Sequence, residues 1–114
     1  IAQINDSDSI TACAVKMTEK PLGVALQLEG NQLKGILTEG DLRKSIASSN
    51  DLNDSIKHFI NTNPISITPS TSILDAMKIM EDRDSQISCL PIIDSKGECS
   101  GLITLHDLYQ TKLV

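Results

Sequence analysis

The eight residues GILTEGDL at positions 35–42 return as GLITLHDL at 101–108. Gly35 and Gly101, Thr38 and Thr104, Asp41 and Asp107, and Leu42 and Leu108 each lie 66 positions apart. Upstream, Ile4 and Ile67 precede polar turns and Met17 and Met80 close similar amphipathic stretches, both pairs 63 positions apart. The second copy therefore carries three extra residues between Met80 and Leu90. A chain of 114 residues has room for one ordinary domain or two very small ones, and the repeat divides it into two like units.

The second copy is the more complete. Residues 64–69, PISITP, alternate apolar and polar positions between two prolines, as a short strand does. Ser72 with Asp75 three residues on is a capping-box arrangement, and Ile73, Ala76, Met77 and Met80 follow at helical spacing, which predicts a helix over 72–83. The apolar run 89–94, the Gly-containing turn 95–98 and the run 99–104 predict a hairpin, and Thr104 and Asp107 open a last helix toward residue 113. The unit reads β-α-β-β-α.

The first copy follows the same order, with a strand remnant at 1–4, a helix at 9–17, a hairpin of 24–28 with 33–37 across Gly30, and a helix at 39–47. The counterpart of residues 58–63 would fall before residue 1, so this copy is expected to be truncated at a domain boundary. The start at Ile1 rather than Met points the same way, to a piece of a longer protein. The expected organisation is repeat 1 at 1–48, a connector with a short helix within 52–60 at 49–60, and repeat 2 at 61–114.

Composition removes several function classes. With one Tyr, one Phe and no Trp the core is expected to be aliphatic, and a surface built to stack nucleic-acid bases on aromatic rings is not expected. A net charge of −5 gives no basic footprint for phosphate backbones or anionic membranes. No apolar run reaches the roughly 20 residues of a membrane span. Three cysteines, none in a C-x-x-C pair, two of them inside apolar runs, read as buried thiols suited to a reducing cytoplasm.

The repeated T-x-x-D has two readings. Thr38 and Thr104 cap helices, with Asp41 and Asp107 completing the capping boxes at the positive end of the helix dipole. The same groups stand directly after a buried strand, where free N–H groups form an anion site, a hydroxyl meets a phosphate and a carboxylate accepts from a ribose diol. Capping alone does not require the same glycine before the strand in both copies, which favours a ligand contact that also caps.

Two β-α-β-β-α units each ending in G-h-h-T-x-x-D-L, the second with NPISITP and LPIID, resemble a tandem CBS domain pair, or Bateman module. The resemblance covers nearly the whole chain. It implies a mixed α/β (α+β) fold of two repeats packed with pseudo-twofold symmetry and two nucleotide sites. Thr38 and Asp41 would serve one site and Thr104 and Asp107 the other, while His106, next to Asp107 at the helix start, either meets a phosphate together with Thr104 or faces solvent. Backbone around Ile4, Leu22 and Val24, and around Ile65, Ile67, Ser88 and Leu90, would enclose the base. The stretches MTEKPLGV, GILTEGDLRKSI and GLITLHDL further resemble the C-terminal CBS pair of KpsF/GutQ-family arabinose 5-phosphate isomerases. Pro21 and Glu39 depart from that pattern without removing the sugar-contacting aspartate. The family carries an upstream sugar isomerase domain that converts ribulose 5-phosphate to arabinose 5-phosphate for Kdo synthesis.

Arg43 and Lys44 either balance ligand phosphates or form a solvated helix face. His58 has no evident role, and Cys99 with His106 lacks the further ligands of a zinc site. No nucleophile and base set and no G-x-x-x-x-G-K loop is present, so this segment is expected to bind rather than catalyse. The expectation is a cytoplasmic regulatory module with no required cofactor. Its ligand would be an adenosine or cytidine nucleotide (AMP, ATP or CMP-Kdo), and it would form a homodimer. The alternatives are a dimerisation module without ligand, or the CBS pair of a sugar nucleotidyltransferase or transporter.

Overall fold

The computed structural model describes residues 1–20, 23–81, 89–105 and 107. The chain divides into two compact units, Ile1–Asn63 and Pro64–Val114. In the first, β1 (Ala2–Gln3) pairs in parallel with β2 (Val24–Glu29), which pairs antiparallel with β3 (Gln32–Thr38). Helix α1 (Ile10–Glu19) crosses between β1 and β2, and α2 (Glu39–Ser48) follows β3 without a break. Gly30 turns the hairpin in a left-handed conformation, φ 62°.

Ser9 opens α1 by accepting from the Ala12 N–H at 3.0 Å. The apolar stripe behind it buries Ile10, Cys13 and Met17 against Ile4, Ala25 and Leu37. Two further members of this core, Ile56 and Ile60, come from beyond α2. The helix expected within 52–60 is a single 3-10 turn, Lys57–Phe59. The reason lies in its partners: backbone groups that a helix would use internally bond outward instead. Ile10 and Thr11 N–H donate to the Asp54 and Leu52 carbonyls, Ile56 N–H donates to the Asp8 carbonyl, and Asn61 pairs with Ile36 at the outer edge of β3. Tertiary pairing outweighs weak local helix preference here.

In the second unit, α3 (Ile73–Glu81) buries Ala76, Met77 and Met80, and β4 (Cys89–Ile93) pairs antiparallel with β5 (Cys99–Thr104). Ser72 accepts from the Asp75 N–H at 3.1 Å, as the capping pattern predicts. The strand expected over 64–69 is reduced to one parallel bridge, Ile67 with Ile92, because prolines at both ends limit the available donors. Asp94 organises the hairpin turn, its Oδ1 accepting from the N–H groups of Lys96 and Glu98 at 2.9 and 3.0 Å. Leu105 and Asp107 are helical, while the rest of the expected closing helix lies outside the described residues.

The repeat is visible down to loop level. Asn5 N–H donates to Asp8 Oδ2 in the turn before α1, and Thr68 N–H donates to Thr71 Oγ1 in the equivalent turn before α3.

Candidate functional site

At the junction of β3 and α2 the capping box is reciprocal. Asp41 N–H donates to Thr38 Oγ1 at 3.2 Å, while Asp41 Oδ2 accepts from the Thr38 N–H at 3.1 Å and from its hydroxyl at 2.9 Å. Both bonds to the carboxylate use Oδ2, so Asp41 Oδ1 carries none among the described residues and keeps its acceptor capacity. Glu39 N–H donates to the Gly23 carbonyl at 3.1 Å. The Gly40 N–H is then the first-turn donor without a partner among the described residues.

The backbone brings a second element to this point. Val24 is paired directly opposite Thr38, so the start of β2 and the start of α2 lie side by side. Gly23 precedes β2 in a left-handed conformation, φ 77°, which a side chain would strain. Its role in holding the helix start was not singled out from sequence, although an isolated glycine just before an apolar run is the available signal.

The second unit repeats the arrangement. Thr104 N–H donates to Asp107 Oδ2 at 3.2 Å and Asp107 N–H donates to Thr104 Oγ1 at 3.1 Å. Cys89 stands opposite Thr104, the place Val24 holds opposite Thr38. Both T-x-x-D pairs are thus capping boxes with a strand start alongside.

The remaining candidates divide by what they can offer. The side chains of Ile4, Val24, Ile67 and Leu90 are buried, so only their main chain could meet a ligand. Ile4 N–H is already taken by the Leu26 carbonyl, and Ile67 donates to the Pro91 carbonyl and accepts from the Ile93 N–H. Ile65 is half-buried against the second core, and its backbone and that of Ser66 have no sheet partner among the described residues. Leu22, Ser88 and His106 lie outside the described residues. Arg43 and Lys44 are exposed on α2, His58 is exposed, and no group of three or more potential metal ligands occurs among the described residues.

The repeated glycine has a different cause in each copy. A Cβ on Gly35 would stand 2.5 Å from Ile60 Cγ2 and 3.0 Å from the Asn61 carbonyl oxygen, so close packing of residues 60–61 excludes any side chain. A Cβ on Gly101 would meet only Ile92 Cδ1, at an ordinary 3.5 Å. In the first copy the glycine therefore reports on packing, and it carries no argument for a ligand.

Comparison with known proteins places this geometry in a family. The model of the CBS domain matches residues 56–112. Arabinose 5-phosphate isomerase KdsD of Francisella tularensis is 31% identical over 111 residues, 96% of this chain and 33% of that protein. Arabinose 5-phosphate isomerase GutQ of Salmonella typhi is 27% identical over 115 aligned positions, 100% of this chain and 35% of that protein. The homology is to the C-terminal CBS region of these isomerases, and the chain spans about a third of their length.

Solved structures agree. The CBS domain structure NE2398 superposes with a TM-score of 0.86 at 25% identity, covering 100% of this chain and 88% of that one. PAE2072 from Pyrobaculum aerophilum, complexed with AMP, gives 0.78 at 17% identity, covering 93% and 81%. The CBS pair of MJ0100, in complex with 5′-methylthioadenosine and S-adenosyl-L-methionine, gives 0.84 at 20% identity, covering 97% and 90%. With a helix, a hairpin and a Thr–Asp-capped helix start recurring in each half, this chain belongs to the CBS domain family and is a CBS domain pair.

Proposed function

We propose that this CBS pair is a regulatory module that binds a nucleotide or nucleotide-sugar through its two Thr–Asp helix starts. The observation that carries the reading is the local chemistry at Asp41. One carboxylate oxygen is held by Thr38, which fixes the side chain, while Oδ1 carries no hydrogen bond and the Gly40 N–H stands unpartnered among the described residues. A ribose diol donates to such an oxygen, and a phosphate accepts from such an N–H. Two CBS structures of this fold contain adenosine compounds, AMP in one and 5′-methylthioadenosine with S-adenosyl-L-methionine in the other, which supports the ligand class.

The homology to arabinose 5-phosphate isomerases supports a parent enzyme of that kind, cytoplasmic and with the catalytic domain upstream. Cytidine ligands such as CMP-Kdo then join AMP and ATP as candidates. A ligand that binds one state of the parent better than another shifts its activity by that difference in affinity, commonly ~1–3 kcal/mol.

The test is calorimetry with AMP, ATP, S-adenosyl-L-methionine, CMP and CMP-Kdo on the wild type and on Asp41→Asn with Asp107→Asn. Binding to the wild type that the double variant loses, with its melting temperature little changed, supports the reading. A true ligand at 100 times its Kd stabilises the fold by ~2.7 kcal/mol, so a flat thermal shift across the set removes it.

A second reading, a dimerisation module, has its own observation. Thr11, Ala14, Val15, Thr18 and Glu19 line a shallow hollow of about 420 Å³ on the outer face of α1, and Val15 is 52% exposed. A robust dimer in ultracentrifugation with no ligand response favours this alternative.

A further inference from the structure

Two charges at the start of α2 have no counterpart in the repeat. Glu39 and Arg43 are both exposed and lie four residues apart with the acid N-terminal, the spacing and order that favour an ion pair on a helix surface. They do not pair: the ion pairs among the described residues are Asp8 with Lys16 and Glu29 with Lys34. Glu39 turns toward the start of β2, its carboxyl carbon 3.8 Å from where a Cβ on Gly23 would stand. Arg43 folds back over the first turn of α2, with Nη2 4.0 Å from where a Cβ on Gly40 would stand. Helical side chains lean toward the N-terminus, which gives position 43 this reach.

The placement of Arg43 does nothing for the folded chain by itself. A cation near a helix N-terminus faces the positive end of the dipole, and here no acid within ion-pair distance among the described residues offsets it. An anion beside Gly40 would be held from two directions, by the Gly40 N–H and by the guanidinium. The positions 66 residues further on are Leu105 and Tyr109, so the second copy carries neither charge. Leu105 packs against the second core instead.

The adenosine compounds that support the ligand class differ in what the 5′ carbon carries: a phosphate in AMP, a neutral thioether in 5′-methylthioadenosine and a cationic sulfonium in S-adenosyl-L-methionine. We propose that Arg43 is a specificity-determining residue, which makes the first helix start select a nucleoside 5′-phosphate and reject the sulfonium by like charge. The inference rests on the reading that Thr38 and Asp41 bind a nucleotide, and adds which one. Asp41 Oδ1 accepts from the ribose whatever the 5′ group, whereas Arg43 meets only that group. Glu39 and Asp41 are both acidic, so a neutral residue at position 43 leaves the helix start anionic and turns its preference toward a cation.

The test is calorimetry on the 114-residue chain carrying Asp107→Asn, which leaves the first helix start to be read by itself, with the three adenosine compounds as probes. AMP is expected to bind on the order of 10-fold more tightly than 5′-methylthioadenosine. Adding Arg43→Gln is expected to weaken AMP to the level of the thioether, to leave the thioether unchanged and to strengthen S-adenosyl-L-methionine. Lys44→Gln removes the same charge from the neighbouring exposed residue and is expected to keep the preference for AMP. A preference that survives Arg43→Gln, or that Lys44→Gln abolishes equally, overturns the proposal, as does equal binding of the three compounds before either change. In those cases, binding that Asp41→Asn still removes leaves the nucleotide reading standing. Binding by the wild type that Asp107→Asn alone abolishes overturns the proposal and keeps the reading for the second helix start. Failure of all three compounds to bind the wild type overturns the proposal together with the adenosine reading.

Discussion

Ile36 and Asn61 exchange both backbone hydrogen bonds, each at 2.9 Å, although 25 residues separate them in the chain. This single bridge draws the segment beyond α2 back onto the first sheet. It places Ile60 over Gly35 and completes a core that α1 and the three strands leave open.

Gly35→Ala is therefore expected to destabilise the first unit by about 1–3 kcal/mol, the usual cost of forcing a methyl group into a filled space. The neighbour it strikes is the branch of Ile60, 2.5 Å from the new Cβ. Combining it with Ile60→Ala gives a total smaller than the sum of the single effects, with a coupling of about 1 kcal/mol or more. Urea denaturation of the four proteins in the cycle measures it, and strict additivity is the outcome that contradicts the contact.

Thr38 holds the start of α2 through its hydroxyl, which accepts from Asp41 N–H and donates to Asp41 Oδ2. Thr38→Val keeps the shape and removes both bonds, with an expected loss of about 1 kcal/mol, whereas Thr38→Ser retains most of the stability. Equilibrium unfolding followed by circular dichroism distinguishes the two variants. A Val variant as stable as wild type contradicts the capping role.

Much of this was legible in the sequence because the repeat let each copy interpret the other. Helix starts at Ser9, Thr38 and Ser72 follow from side chains that bond within three residues, so local sequence determines them. The hairpins follow likewise from Gly30 and from the Asp94 turn with Gly97. Segment 52–60 was not legible as it stands, because Ile56 and Ile60 fit a helical face as well as they fit the pocket they fill. Its conformation is set by Ile10, Thr11 and Ile36, residues far away in sequence. The glycine at 35 misled for the same reason, since the side chain that excludes a Cβ comes from Ile60. The helix start at Thr38 and Asp41 was legible, while an Asp41 Oδ1 without a hydrogen bond among the described residues is a matter of geometry that no residue pattern reveals.

Cysteine reactivity should follow burial. Cys13 is fully buried, and desolvation, helped by the nearby Asp8 charge and opposed by Lys16, pushes its thiol up to about 11. At pH 8 a thiol-reactive disulfide reagent should modify half-exposed Cys99 first, with Cys13 and buried Cys89 reacting only on unfolding. Peptide mapping after brief labelling checks this, and early modification of Cys13 contradicts the packing of α1.

The Asp8–Lys16 pair gives the first unit a measurable acid dependence. Lys16 Nζ donates to Asp8 Oδ2 at 2.8 Å, and the same oxygen accepts from Asn5 N–H at 2.9 Å. Partial burial raises the Asp8 carboxyl, but the Lys16 and Asn5 hydrogen bonds together with the Lys16 charge outweigh it, so the group lies below its ordinary 3.8. A carboxyl depressed by folding contributes stability above its unfolded value, and loses that contribution as pH falls through the lower folded value. Asp8→Asn should thus be less stable than wild type near neutrality, and the difference between them should shrink as pH drops below 3.8. Lys16→Met removes the strongest of the stabilising partners and should flatten the same dependence. Urea midpoints for the three proteins between neutrality and about pH 3 decide it. A wild-type advantage over Asp8→Asn that persists undiminished to the acid end means that the carboxylate is not stabilised by folding.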